Sequence, residues 1–147
     1  MYQHILIPTD GSEFAQRGVT HGLALAKSLG AKVSVIVVQE PFDWPVYLEM
    51  TAQEPAEFAK YSEQLEERCK RVLDRAAHEA KQAGVSCETI QVVNRRPFEA
   101  IVAAAKDKGC DLIVMSSHGR SGLSVLLIGS VTNKVLTHAK TPVLVCQ

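Results

Sequence analysis

Apolar residues gather along this chain into short blocks, and between the blocks they recur every three or four positions. The blocks are His4-Ile-Leu-Ile-Pro8, Val33-Ser-Val-Ile-Val-Val38, Cys87 to Val93, Leu112 to Met115 and Thr141 to Cys146. Short apolar runs rich in β-branched residues predict strands buried on both faces, as a parallel sheet requires. Only Cys87 to Val93 alternates weakly.

The intervening stretches predict helices. Ala15, Val19, Gly22/Leu23, Ala26 and Leu29 follow the helical period, with Ser12 as a start signal and Gly30 as a stop. Phe58, Tyr61, Leu65, Cys69, Val72, Ala76, Ala80 and Ala83 form the stripe of a long amphipathic helix that Gly84 ends. A third helix runs from Pro97 to Lys108, with Ile101, Val102 and Ala105 inward and proline in the permitted first turn. A fourth runs from Ser130 to His138 and carries Val131, Val135 and Leu136. Gln39 to Pro55 has no clear period; it holds Phe42, Trp44, Tyr47, Leu48 and Met50. So long a loop is usually functional or mobile, or its aromatics pack it onto the body.

Strand and helix alternate to the end, which calls for right-handed crossovers and a parallel sheet covered on both faces. In such sheets ligands bind beyond the carboxyl ends of the strands, where the winding direction reverses. With strands one and four adjacent there, Pro8-Thr9-Asp10 and the loop after Met115 would face each other across one crevice.

Composition narrows the function classes. The 147 residues, 46% hydrophobic and 22% charged, suit a single globular domain over 1–147. Lys+Arg and Asp+Glu balance at 16 each, so no overall field draws the chain to nucleic acid or anionic lipid. No run has membrane-spanning length, and the first residues lack a basic n-region and a long h-region. A cytoplasmic protein is expected. The four cysteines, Cys69, Cys87, Cys110 and Cys146, form no CxxC pair and read as buried reduced thiols.

The stretch that carries chemistry is 111–130. An apolar run ends in Ser116-Ser-His-Gly-Arg-Ser-Gly, and Gly129-Ser130 opens the last helix. Loop amides and a helix N-terminus together make an anion site, phosphate foremost. A Walker A loop is excluded, because the chain contains no Gly-Lys dipeptide, and Gly11 stands alone after strand one. Glycines 119 and 129 would allow close backbone approach and positive φ. Ser130 could donate its hydroxyl as well as its amide, and Arg120 is the loop's cation. Asp10 could accept from a ligand hydroxyl or hold a metal-bound water. His118 would hold the loop's shape by packing or hydrogen bonding, or take part in the site. His78-Glu79 lacks the second histidine of a zinc motif, and His4, His21 and His138 read as structural.

The spacing Ser116-x2-Gly119-x9-Gly129-Ser130 resembles the nucleotide-binding loop of the universal stress protein family, whose ATP-binding members carry Gly-x2-Gly-x9-Gly-Ser/Thr. The resemblance extends to the opening Ile-Leu-Ile-Pro-Thr-Asp-Gly-Ser, the block Gly-Ser-Val-Thr-Asn-Lys-Val-Leu and the ending Thr-Pro-Val-Leu-Val. It implies a Rossmann-like, adenine nucleotide alpha hydrolase-like fold: a five-stranded parallel sheet of order 3-2-1-4-5 with helices on both faces. It implies an adenosine site at Pro8, Thr9, Asp10, Val38 and Met115. It also implies a phosphate site at Ser116, His118, Gly119, Arg120, Gly129, Ser130, Val131 and Thr132. The ligand would be ATP, with ADP or AMP as alternatives, accompanied by magnesium or manganese. The chain departs from the pattern at Ser116, which stands at the first glycine, and at Arg95, where many members have glycine. Beside Arg96, Arg95 is either part of a partner-binding patch or an ordinary exposed charge. The apolar last strand, Thr141 to Cys146, would lie at a sheet edge, and pairing with a second copy would cover it. The expected protein is a homodimeric ATP-binding signal or regulator with at most slow hydrolysis and an unidentified protein partner. A dimeric interaction module that binds no nucleotide is the alternative.

Overall fold

The sheet builds outward from β1 (His4–Pro8), which is buried along its whole length. A computed structural model describes residues 1–41, 46, 49, 55–118 and 127–147. The aromatic positions of the 40–55 loop, with Gly119 and Arg120, lie outside the described residues. After β1 the chain runs through α1 (Glu13–Leu29), β2 (Lys32–Gln39), α2 (Pro55–Ala83), β3 (Cys87–Val93), α3 (Pro97–Asp107), β4 (Leu112–Ser116), α4 (Ser130–His138) and β5 (Val143–Cys146). All pairings are parallel and the order is β3-β2-β1-β4-β5. The winding therefore reverses between β1 and β4, as the family resemblance implies.

Each strand sends alternate residues to opposite faces. Ile5, Ile7, Val33, Val35, Leu112 and Val114 pack against α1 and α2, through Val19, Leu23, Cys69, Leu73 and Ala76. Leu6, Ile36, Ile113 and Met115 pack against α3 and α4, through Ile101, Ala105 and Val135. Ser12 caps α1, its hydroxyl accepting the amide of Ala15 at 3.1 Å, and Gly30 closes the helix at φ 66°.

Several side chains differ from the periodic expectation. On α2 the buried positions are Cys69, Leu73, Ala76 and Ala80, with Val72 only partly covered and Tyr61 exposed. A helix of 29 residues is about 43 Å long, whereas β2, at eight residues, spans about 26 Å. The first turns of α2 therefore overhang the sheet. In α3 Ala100 is buried and Val102 only partly so, while Leu29 and Leu136 are exposed. Cys87 is half-buried and the other three thiols are buried. β3 alternates weakly because it is an edge strand, paired with β2 alone. Among the described residues no helix is long and apolar enough to cross a membrane.

The amino ends of the strands carry a polar seam. Asp111 accepts the amides of Gln3 at 2.8 Å and His4 at 3.0 Å. Partial burial opposes its ionisation, but these amides outweigh it and hold its carboxyl below the usual range. Lys108 pairs with Glu88 and, by hydrogen bonding, holds that carboxyl below its ordinary value despite some desolvation. Buried His4 shares a 2.8 Å hydrogen bond between Nε2 and the Ser34 hydroxyl. Burial, then the charge of Lys32, push its imidazole below the ordinary 6.5, against the Lys108 carbonyl, Glu88 and Asp111. The unfolded chain then binds the proton more readily. This stabilisation is complete above 6.5 and is lost as pH falls through the folded-state value. The midpoint of thermal unfolding is expected to fall between about pH 7 and about pH 5, and His4→Gln is expected to flatten that fall. An unchanged slope in the variant would count against the assignment.

Candidate functional site

Beyond the carboxyl ends of β1 and β4 lies a cleft of about 610 Å³. Its floor is the turn after β1. The Thr9 hydroxyl accepts the Gly11 amide at 3.2 Å, and Asp10 Oδ1 accepts the Ser12 amide at 2.9 Å. Gly11 takes φ 79°, and a Cβ there would stand 2.5 Å from Val72 Cγ2, so α2 presses directly on this turn. Ile36, Val38, Pro97, Ile101 and Met115 give the cleft an apolar side.

The opposite side is the start of α4. Ser117 organises it. Its amide donates to the Cys146 carbonyl at 2.8 Å, and its own carbonyl accepts the Gly129 amide at 2.7 Å. Its hydroxyl shares a 2.8 Å hydrogen bond with His118 Nδ1. The Thr132 hydroxyl donates to the Ser116 carbonyl at 2.9 Å, and the Ser116 hydroxyl to the His118 carbonyl at 2.5 Å. Strand end, loop start and helix start are thus tied together without charge.

No side chain caps α4 at Gly129. Among the described residues the amides of Ser130, Val131 and Thr132 find no acceptor, the usual state of a helix's first turn. They open on the cleft and favour an anion.

Pro8, Thr9, Asp10, Val38, Met115, Ser116, His118, Gly129, Ser130, Val131 and Thr132 all line this one cleft. Gly119 and Arg120 lie outside the described residues. One expectation needs correction. Gly129 sits at φ −57°, ψ 152°, ordinary extended backbone, so it supplies room rather than positive φ. The hydroxyls of Ser116 and Thr132 are engaged by the backbone carbonyls of His118 and Ser116. Arg96 is paired with Glu99 at 2.9 Å.

His118 holds the loop, with its ring centroid 6.1 Å from that of Phe14 and Nε2 buried without a hydrogen-bond partner. Sequence reasoning missed the wall that α2 contributes: Tyr61, Leu65, Arg68 and Cys69. The signal was available in helix length, since α2 is too long for the strands it covers. Among the described residues no three metal-ligating side chains converge.

The whole chain, residues 1–147, matches the description of the universal stress protein family. A universal stress protein of Thermus aquaticus is 35% identical over 151 residues, covering all of both chains. The solved structure of MJ0577, a universal stress protein of Methanocaldococcus jannaschii, superposes with a TM-score of 0.80 at 33% identity, covering 99% of this chain and 95% of that one. A universal stress protein solved in complex with cAMP superposes with a TM-score of 0.69 at 28% identity, covering 99% and 97%. The fold, the site's position and these likenesses agree: the chain belongs to the universal stress protein family.

Proposed function

We propose that the protein is a cytoplasmic stress-response regulator that binds an adenine nucleotide, ATP foremost, in the cleft between β1 and β4. The observation that carries this reading is the uncapped first turn of α4 opening on a cleft whose other side is apolar. A flat base fits against Val38, Ile101 and Met115, a ribose reaches Asp10, and phosphates lie toward the amides of Ser130 to Thr132. A relative solved with cAMP supports a nucleotide of this class.

Any hydrolysis is slow. Fast phosphoryl transfer needs a group that orients the attacking water. His118, the imidazole lining the cleft, has Nδ1 engaged by Ser117 and Nε2 buried. The nucleotide therefore acts as an occupancy signal to a protein partner.

The dimer belongs to the same proposal. β5 is an edge strand, and Leu144 on it is 43% exposed. A second copy pairing through residues 141–146 would cover that edge.

Protein purified natively is expected to sediment as a dimer at micromolar concentration and to release adenine nucleotide on denaturation, identified by absorbance and mass spectrometry. Nucleotide-free protein that also shows no calorimetric heat with added ATP would refute the ligand. A monomer would refute the interface.

A further inference from the structure

We infer that Arg68 is a specificity-determining cation of this site, reading the nucleotide's outer phosphates from α2; this rests on the cleft taking an adenine nucleotide. Arg68 lines the cleft, and among the described lining residues it is the only lysine or arginine. The lining also carries two carboxylates, Asp10 and Glu40. A polyphosphate entering beside them needs opposite charge, and the other described donors, the amide dipoles of α4, supply only partial charge.

Its position follows from the packing of α2. Val72 presses on Gly11, the turn that follows Asp10. Arg68 lies four residues earlier, on the same side of the helix and one turn farther out over the overhang. That places Arg68 on the cleft wall formed by the α2 overhang. It is exposed and makes no ion pair with a described residue, whereas nearby Arg75 is held by Glu79 at 2.9 Å. A guanidinium that lines a cleft and makes no ion pair with a described residue can bind phosphate oxygens in a bidentate manner, which a serine hydroxyl or a helix amide cannot. Such a contact weights the site toward ATP over AMP, because it touches only what lies beyond the first phosphate.

The test is calorimetry of the full-length protein with ATP, AMP and adenosine, for the parent, Arg68→Gln and Arg68→Lys, each first shown to melt like the parent. Arg68→Gln is expected to weaken ATP about tenfold and adenosine by less than about twofold, narrowing the ATP/AMP ratio, with Arg68→Lys between. Undiminished ATP affinity in Arg68→Gln, or an equal loss for adenosine, overturns the role of Arg68 while leaving the nucleotide site standing. A parent that binds none of the three overturns the site and this assignment with it.

Discussion

Gly18→Ala is expected to lower stability by about 1–2 kcal/mol and to weaken nucleotide binding, although alanine is the better helix former. Gly18 and Gly22 lie one turn apart on the face of α1 that meets β1 and β4. A Cβ on Gly18 would stand 2.9 Å from the amide nitrogen of Ser116 and 3.3 Å from the carbonyl carbon of Met115. Both are backbone atoms of a fully buried strand, and they cannot turn aside. The helix must lift or β4 must move. Ser116 is where the loop is tied, through its carbonyl to Thr132 and its hydroxyl to His118, so the displacement reaches the ligand groups directly.

Gly22→Ala is the control that makes the prediction sharp. Its added Cβ would come even closer to a neighbour, 2.4 Å from Ile7 Cδ1. That neighbour is a side-chain atom, with Ile7 Cγ1 next at 2.9 Å, and a side chain can swing about 30° off its rotamer at a cost of about 0.5–1.5 kcal/mol, offset by about 1 kcal/mol of helix propensity. Gly22→Ala should remain within about 1 kcal/mol of the parent in urea unfolding and keep its ATP affinity. If the smaller separation proves the costlier substitution, backbone rigidity is not what decides.

The contrast marks what a one-dimensional pattern can carry. Strands, helices, the Ser12 cap and the Gly30 stop were readable because each depends on residues within a few positions. Adjacency of β1 and β4 was implied by the family resemblance and not by the periodicity, and it brought Asp10 and Met115 to one cleft. Periodicity reports which face of a helix is apolar, not where along it the sheet ends. Tyr61 and Leu65 therefore read as core while they line the cleft, and Arg68, one step off the stripe, carried no signal. Gly18 escaped notice because a glycine among apolar positions looks like a gap rather than a contact. The hydroxyl of Ser116 could serve a ligand or its own loop, and only the 2.5 Å contact to His118 decides between them.

Gly129→Val is expected to abolish measurable ATP binding while leaving the fold intact, and the torsions of Gly129 are what separate those two effects. At φ −57°, ψ 152° the backbone is extended, a region that valine adopts without strain, so no penalty of left-handed geometry arises. Glycine caps a helix better than valine does, which sets the folding cost at about 1 kcal/mol. The carbonyl of Gly129 still accepts the Asn133 amide at 2.9 Å, and its amide still donates to Ser117, since neither bond uses the side chain. What changes is room. Gly129 lines the cleft immediately before the amides of Ser130 to Thr132, and a branched side chain there stands where a phosphate must approach them. Calorimetry should show ATP affinity reduced at least about a hundredfold, with a thermal midpoint within a few degrees of the parent. Equal affinity in variant and parent would move the phosphates away from α4; binding lost together with the fold would mean that Gly129 serves structure rather than the ligand.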